Sequence, residues 1–200
     1  MTICRVCDKE IRRLNLENKI LIIALILVIG GLSLTPRRCE AEPRLIVIGD
    51  SLSSTADSWP SYIEGYNIQK HTQPGRTVRD YQPPRDLRHT GHDDTVVYFL
   101  GGNDAGSGFR VKDTRQRMLD HIRPLRRKGF RVIIVPPPKF KLSWIAVSVH
   151  RHRVMMLRMK DTCDVTSVWD KADTIDGLHP TASLSYRVAN VIQQCLSQPT

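Results

Sequence analysis

From residue 44 onward the chain alternates between short apolar runs and longer stretches with helical spacing. Residues 45–48 (Leu-Ile-Val-Ile), 95–100 (Thr-Val-Val-Tyr-Phe-Leu) and 131–135 (Arg-Val-Ile-Ile-Val) are rich in β-branched and aromatic side chains and too short for helices. They predict buried strands. Residues 66–69 predict a further strand and residues 164–168 a weaker fifth. Helices are predicted over residues 53–64, 112–128, 148–160 and 181–196. Strands alternating with helices imply a parallel sheet covered on both faces, a three-layer α/β/α arrangement. Pro136-Pro137-Pro138 stops the fourth strand and stiffens the loop after it.

The N-terminal part follows a different pattern. Residues 20–34 carry no charge, and Ile, Leu, Val and Ala make up most of the run. It is apolar on every face, unlike a helix that covers a core with one stripe. Fifteen residues at ~1.5 Å each fall short of a ~30 Å hydrocarbon layer and sit at the upper end of a signal-peptide apolar region. Arg5, Lys9, Arg12, Arg13 and Lys19 precede the run, which orients the N-terminus toward the cytoplasm and the remainder outward. A small-x-small pattern ending at Ala41 allows cleavage, whereas the long leader and Arg37-Arg38 favour an uncleaved anchor. The expected organisation is a basic segment over 1–19, a transmembrane anchor or signal-peptide region over 20–36, a linker over 37–43 and a single domain over 44–198. The catalytic part is expected outside the cytoplasm, membrane-anchored, or secreted if the leader is removed.

Candidate chemistry sits just after a strand or at a helix entrance. Ser51, in Gly49-Asp50-Ser51-Leu52, follows the first strand directly. A serine hydroxyl is a weak nucleophile that needs a base within hydrogen-bond reach and a group that orients the base. Asp176-Gly177-Leu178-His179-Pro180 supplies both, because one loop turn can bring the Asp176 carboxylate onto a ring nitrogen of His179. Gly101-Gly102-Asn103-Asp104 follows the third strand and would present the Asn103 amide as an oxyanion donor. Gly75, in Gln73-Pro74-Gly75-Arg76-Thr77, could add a backbone N–H, and the Ser51 amide a third donor. Asp50 and Asp104 are read as fixing their own turns through side-chain to backbone bonds.

With these blocks in order, the chain resembles the SGNH subgroup of the GDSL hydrolases, from residue 44 to residue 196. Gly49-Asp50-Ser51-Leu52-Ser53 matches the serine block, Gly101-Gly102-Asn103-Asp104 the asparagine block and Asp176-Gly177-Leu178-His179-Pro180 the histidine block. Gly75 matches the glycine block by order and context, with Gly65 and Gly91 as rivals. Trp59-Pro60 is similar to the thioesterase and lysophospholipase branch of bacterial envelopes. The resemblance implies a flavodoxin-like fold with a five-stranded parallel sheet and cleavage of carboxylic esters or thioesters through an acyl-enzyme on Ser51. It implies a triad of Ser51, His179 and Asp176, an oxyanion hole of Ser51, Gly75 and Asn103, and neither metal nor cofactor. The substrate is left open among small esters, thioesters, lipids and acylated glycans, and a monomer is expected. Two alternatives stand beside hydrolysis: an acyltransferase or O-acetylesterase acting on surface glycans, and a catalytically silent membrane-tethered binding module.

The net charge of +10 raises a nucleic-acid reading. Basic residues crowd between Arg110 and Lys160, yet few aromatics accompany them for base stacking, so they are read as solvated helix faces and turn ends. Attraction toward anionic headgroups or acidic envelope polymers is the more natural role for that field. His89, His92, Asp93 and Asp94, and His150 with His152, lack metal-ligand spacing, and the histidines are read as solvated loop residues. Cys4 and Cys7 form a lone Cys-x-x-Cys; Cys163 and Cys195 can pair only if the domain reaches an oxidising space. The walls of an acyl-binding cleft are expected from residues 104–110 and 136–144, the latter with Phe140 and Trp144.

Overall fold

In the first strand, β1 (Arg44–Gly49), consecutive side chains enter opposite cores: Leu45 and Val47 join one apolar cluster, Ile46 and Ile48 the other. The same alternation holds in β3 (Thr95–Phe99) and β4 (Arg131–Ile134), so both sheet faces are covered and these strands read as continuous apolar runs. The computed structural model describes residues 42–83, 94–140 and 142–198, which belong to a compact unit over Glu42–Thr200. The apolar run at 20–34, Cys4, Cys7, His89, Gly91, His92 and Asp93 lie outside the described residues. Among the described residues no helix is long and apolar enough to cross a membrane.

With β2 (Asn67–Thr72), the strands form a parallel sheet in the order β2-β1-β3-β4. The chain moves to one side of β1 and then returns to the other. Ligands of open α/β sheets bind in the crevice that such a reversal leaves at the carboxyl ends of the strands. Helices α2 (Val111–Arg127) and α4 (Ala182–Ser197) cover opposite faces: Met118, Ile122 and Leu125 join one cluster, Leu184, Val188 and Ile192 the other. Helix α3 (Ser143–Leu157) serves both, through Ile145 and Val149 in its first half and Met155 and Met156 in its second.

Three expectations are corrected. Residues 53–64 form two 3-10 turns, Ser51–Ser53 and Trp59–Tyr62, in place of a helix. Short polar side chains compete for the local backbone there: Ser58 Oγ donates to the Thr55 carbonyl at 2.6 Å and Ser54 Oγ to that of Ser51 at 3.4 Å. The fifth strand is reduced to a parallel bridge between Ile134 and Thr162, with Ile134 N–H donating to the Asp161 carbonyl and Cys163 N–H to that of Ile134, both at 2.8 Å. Beyond it Asp164 Oδ1 accepts from Thr166 N–H at 2.8 Å, which turns the chain away, so the described sheet has four strands and not five. Helix α3 begins five residues before the predicted start, and a short helix, α1 (Gly102–Gly106), follows β3 without having been predicted.

Two polar groups are also more interior than expected. His152 is fully buried within α3, with Thr114 Oγ1 at 3.3 Å from Nε2 and the Ser148 carbonyl at 2.9 Å from Nδ1. Arg153 is buried and pairs with Asp164, whereas Arg115, Arg117, Arg123 and Arg127 are exposed as expected. Cys163 and Cys195 form a disulfide, with Cα atoms 6.0 Å apart, joining the segment after β4 to the last turn of α4. Arg131 reinforces that junction by donating to the carbonyls of Cys195 and Leu196 at 2.8 and 2.6 Å.

Candidate active site

Ser51 opens the 3-10 turn that leaves β1, and Asp50 caps it, its Oδ1 accepting from Leu52 N–H at 3.0 Å. Gly49 is required sterically: a Cβ there would lie 2.6 Å from Ser53 Oγ and 2.7 Å from Ser53 Cβ. Ser53 in turn accepts from Trp59 Nε1 at 2.9 Å, so the turn that carries Ser51 is anchored on a buried tryptophan.

His179 comes from the far end of the chain. Its loop is pinned by an antiparallel bridge between Thr174 and Pro180 and by Thr181 N–H donating to the Asp173 carbonyl at 3.0 Å. Thr181 then caps α4 by accepting from Leu184 N–H at 3.3 Å. Within the loop, Asp176 Oδ1 accepts from the N–H groups of Leu178 (3.0 Å) and His179 (2.7 Å), and Oδ2 lies 2.7 Å from His179 Nδ1. The His179 backbone bond, then its ring bond, hold the Asp176 carboxyl down at about 2. An ionised carboxylate can only accept, so Nδ1 carries the proton and Nε2 is left as an acceptor. Nε2 lies 2.9 Å from Ser51 Oγ, across 128 residues of sequence. The result is a continuous hydrogen-bonded path from Ser51 to Asp176, able to take the hydroxyl proton onto the ring.

Asn103, in α1, faces the same cleft as Ser51. Gly101, at φ +119°, makes the sharp exit from β3 that aims it there. Its Nδ2 donates to Asp50 Oδ2 and to the Arg76 carbonyl, each at 3.1 Å. Gly75 is exposed at φ +73°, the second central residue of the turn closed by Arg76 N–H and the Gln73 carbonyl at 3.2 Å. It is not among the residues that line the cleft, and it sits one residue from the carbonyl bound to Asn103. Gly65 also has positive φ but lies in a bend before β2.

The cleft is small, about 100 Å³, with walls that include Gly102, Phe140, Leu142, Trp144, Ile145 and Leu178. Phe140 and Trp144 were expected there; of residues 104–110 only Gly106 contributes. Trp144 is 74% exposed at the mouth. A larger cavity of about 390 Å³ lies at the start of α2, beside Asp104, Phe109 and Arg117, and holds none of Ser51, Asn103 or His179. The hydrogen-bonded serine therefore lies in the smaller of these two cavities.

Sequence reasoning missed two links. Asp50 bonds Asn103 as well as its own turn, and Asp104, expected to fix its own turn, accepts from Val78 N–H at 2.8 Å with its Oδ2. Both partners are far away in sequence, and no local pattern marks them. Burial dominates the carboxyl of Asp50, pushing it up to about 7, and raises that of Asp104 as well. Among the described residues no cluster of histidine, cysteine and carboxylate side chains is arranged to hold a metal ion.

No family model and no curated protein matches the chain. Solved structures do. Axe2, an acetylxylan esterase from Geobacillus stearothermophilus, superposes with a TM-score of 0.65 at 12% identity, over 80% of this chain and 96% of its own. A member of the lipolytic G-D-S-L family from Veillonella parvula gives 0.63 at 15% identity, over 76% and 96%. The acetyl xylan esterase AlAXEase gives 0.65 at 15% identity, over 76% and 98%. At these identities the likeness is one of fold: the described domain has the α/β architecture of the GDSL and SGNH hydrolases.

Proposed function

We propose that the protein is a serine esterase of the SGNH type that cleaves short-chain carboxylic esters through an acyl-enzyme on Ser51. The observation that carries this reading is the path Ser51–His179–Asp176, with links of 2.9 and 2.7 Å, on the sheet edge that also presents Asn103. His179 Nε2 takes the Ser51 proton as Oγ bonds to the substrate carbonyl carbon. Asp176 stabilises the resulting imidazolium. Charge on the carbonyl oxygen is met by the Ser51 N–H, the Asn103 amide and, if its turn closes further, the Gly75 N–H. The tetrahedral species collapses as its bond to the leaving alkoxide breaks and His179 returns the proton to that oxygen. Water, deprotonated by the same ring, then releases the acid.

A cleft of about 100 Å³ is well below the ~300 Å³ at which drug-sized pockets begin, which favours an acetyl-sized acyl group over a long chain. Exposed Trp144 offers a flat apolar surface for the alcohol part of the ester, consistent with an acylated glycan. The Cys163–Cys195 disulfide favours a domain that works outside the cytoplasm, since such bonds persist in oxidising compartments.

The test is hydrolysis of p-nitrophenyl acetate, butyrate and palmitate by wild type, Ser51→Ala, His179→Ala and Asp176→Asn. The first two substitutions should remove at least about 10³-fold in kcat, and Asp176→Asn should leave measurable turnover. Acetate should be the best substrate. Full activity in Ser51→Ala protein would end the proposal; a preference for palmitate would end the short-chain part alone.

A further inference from the structure

Asp50 is among the most buried carboxylates of the described residues, 3% exposed, immediately before the nucleophile. A serine or asparagine at this position would cap the Leu52 N–H as well, with no charge to desolvate. What a carboxylate adds is a second acceptor oxygen, and Asn103 occupies it at 3.1 Å.

We propose that Asp50, as a carboxylate, is a positioning residue for the oxyanion site, clamping the turn that carries Ser51 and the Asn103 side-chain amide into one frame. Its two oxygens take one donor from each half, joining segments 53 residues apart. Both Asn103 amide protons are engaged, one by Asp50 and one by the Arg76 carbonyl. A bond to an ionised oxygen is about twice as strong as one to a neutral carbonyl. When the oxyanion forms, the Arg76 bond is therefore the one that yields or becomes shared, while Asp50 keeps the amide in place.

The charged groups around Asp50 oppose one another. His179 faces it with the opposite sign once protonated and lowers the Asp50 carboxyl; Asp104 of α1 faces it with the same sign and raises it. The Arg76 guanidinium turns away to the His71 carbonyl and Gln73 Oε1, at 2.6 and 3.0 Å. Because burial pushes Asp50 up to about 7, this carboxyl must lose its proton near neutrality before the clamp is charged, and activity falls on the acid side of that point.

The proposal rests on the esterase reading, and the experiment separates the two. For full-chain wild type, Asp50→Asn, Asn103→Ala and the double variant, kcat and KM for p-nitrophenyl acetate are measured from pH 5 to 9. The acid-side logarithmic slope of kcat/KM should be about one unit smaller for Asp50→Asn than for wild type. At pH 8 Asp50→Asn should lose about tenfold to a hundredfold in kcat with KM little changed, and the double variant should be no slower than Asn103→Ala. A wild-type kcat/KM that holds level from pH 8 down to pH 6 overturns the proposal even if the variant does not fold, and so do equal acid-side slopes in wild type and Asp50→Asn. Losses that multiply in the double variant overturn it too. Either result leaves the Ser51 mechanism intact, whereas undiminished turnover by Ser51→Ala removes the underlying reading.

Discussion

Replacing Asp50 by asparagine should make the protein more stable as the pH rises, while slowing it. In the folded chain this carboxyl releases its proton at about 7, against 3.8 when exposed, because burial disfavours its charge. Between those values the folded state binds more protons than the unfolded one, so its stability falls as pH rises through the window and stays low above it. At ~1.4 kcal/mol per pH unit, the wild type carries a cost of about 4 kcal/mol at pH 8 and less than half of that at pH 5. Asparagine has the shape of the neutral acid and no such dependence. Its stability relative to wild type should therefore grow by about 2–3 kcal/mol between pH 5 and pH 8, or roughly 5–10 °C in Tm for a domain of this size. Whatever the variant loses by setting two amide groups face to face is the same at both pH values and cancels. Urea unfolding followed by far-UV circular dichroism at pH 5, 6, 7 and 8 measures the difference. A gap between variant and wild type that does not change with pH would refute the claim that burial dominates this group, however the activities compare. If the gap grows and kcat falls, the buried charge is a stability cost borne for function.

Gly49→Ala should cost about 1–3 kcal/mol and lower kcat, since the new methyl would overlap Ser53 and displace the turn that aims Ser51; unchanged urea midpoint and rate would contradict the steric reading. Removing the disulfide with Cys163→Ser and Cys195→Ser together should cost about 3–4 kcal/mol, from the entropy of a closed loop spanning 32 residues, and lower Tm by roughly 6–16 °C. Thermal unfolding of wild type with and without reductant checks the same point, and an unaltered Tm in both would count against it.

Local physics made much of this protein legible. The β1, β3 and β4 runs are apolar throughout because both faces of each strand are buried, and a run of that kind signals a strand without reference to its neighbours. Ser51 and Asn103 could be singled out as candidates from side-chain type and position just after a strand, Asp176 and His179 from side-chain type at the entrance of the last helix, and the Asp176–His179 contact from a three-residue spacing. Helix 53–64 was misread where serine and threonine hydroxyls compete for the backbone, a contest that apolar spacing does not register.

What the sequence determined by itself was therefore the kind of most elements and the identity of the groups that could react. Tertiary structure alone decided which of them meet: the order β2-β1-β3-β4, the 2.9 Å approach of His179 to Ser51, the bond from Asn103 to Asp50 and the pairing of Cys163 with Cys195. The physical reason is range. Strand and turn preferences arise within a few residues, whereas contacts across 32, 53 or 128 residues exist only once both sheet faces are packed and the loops have no other place to lie.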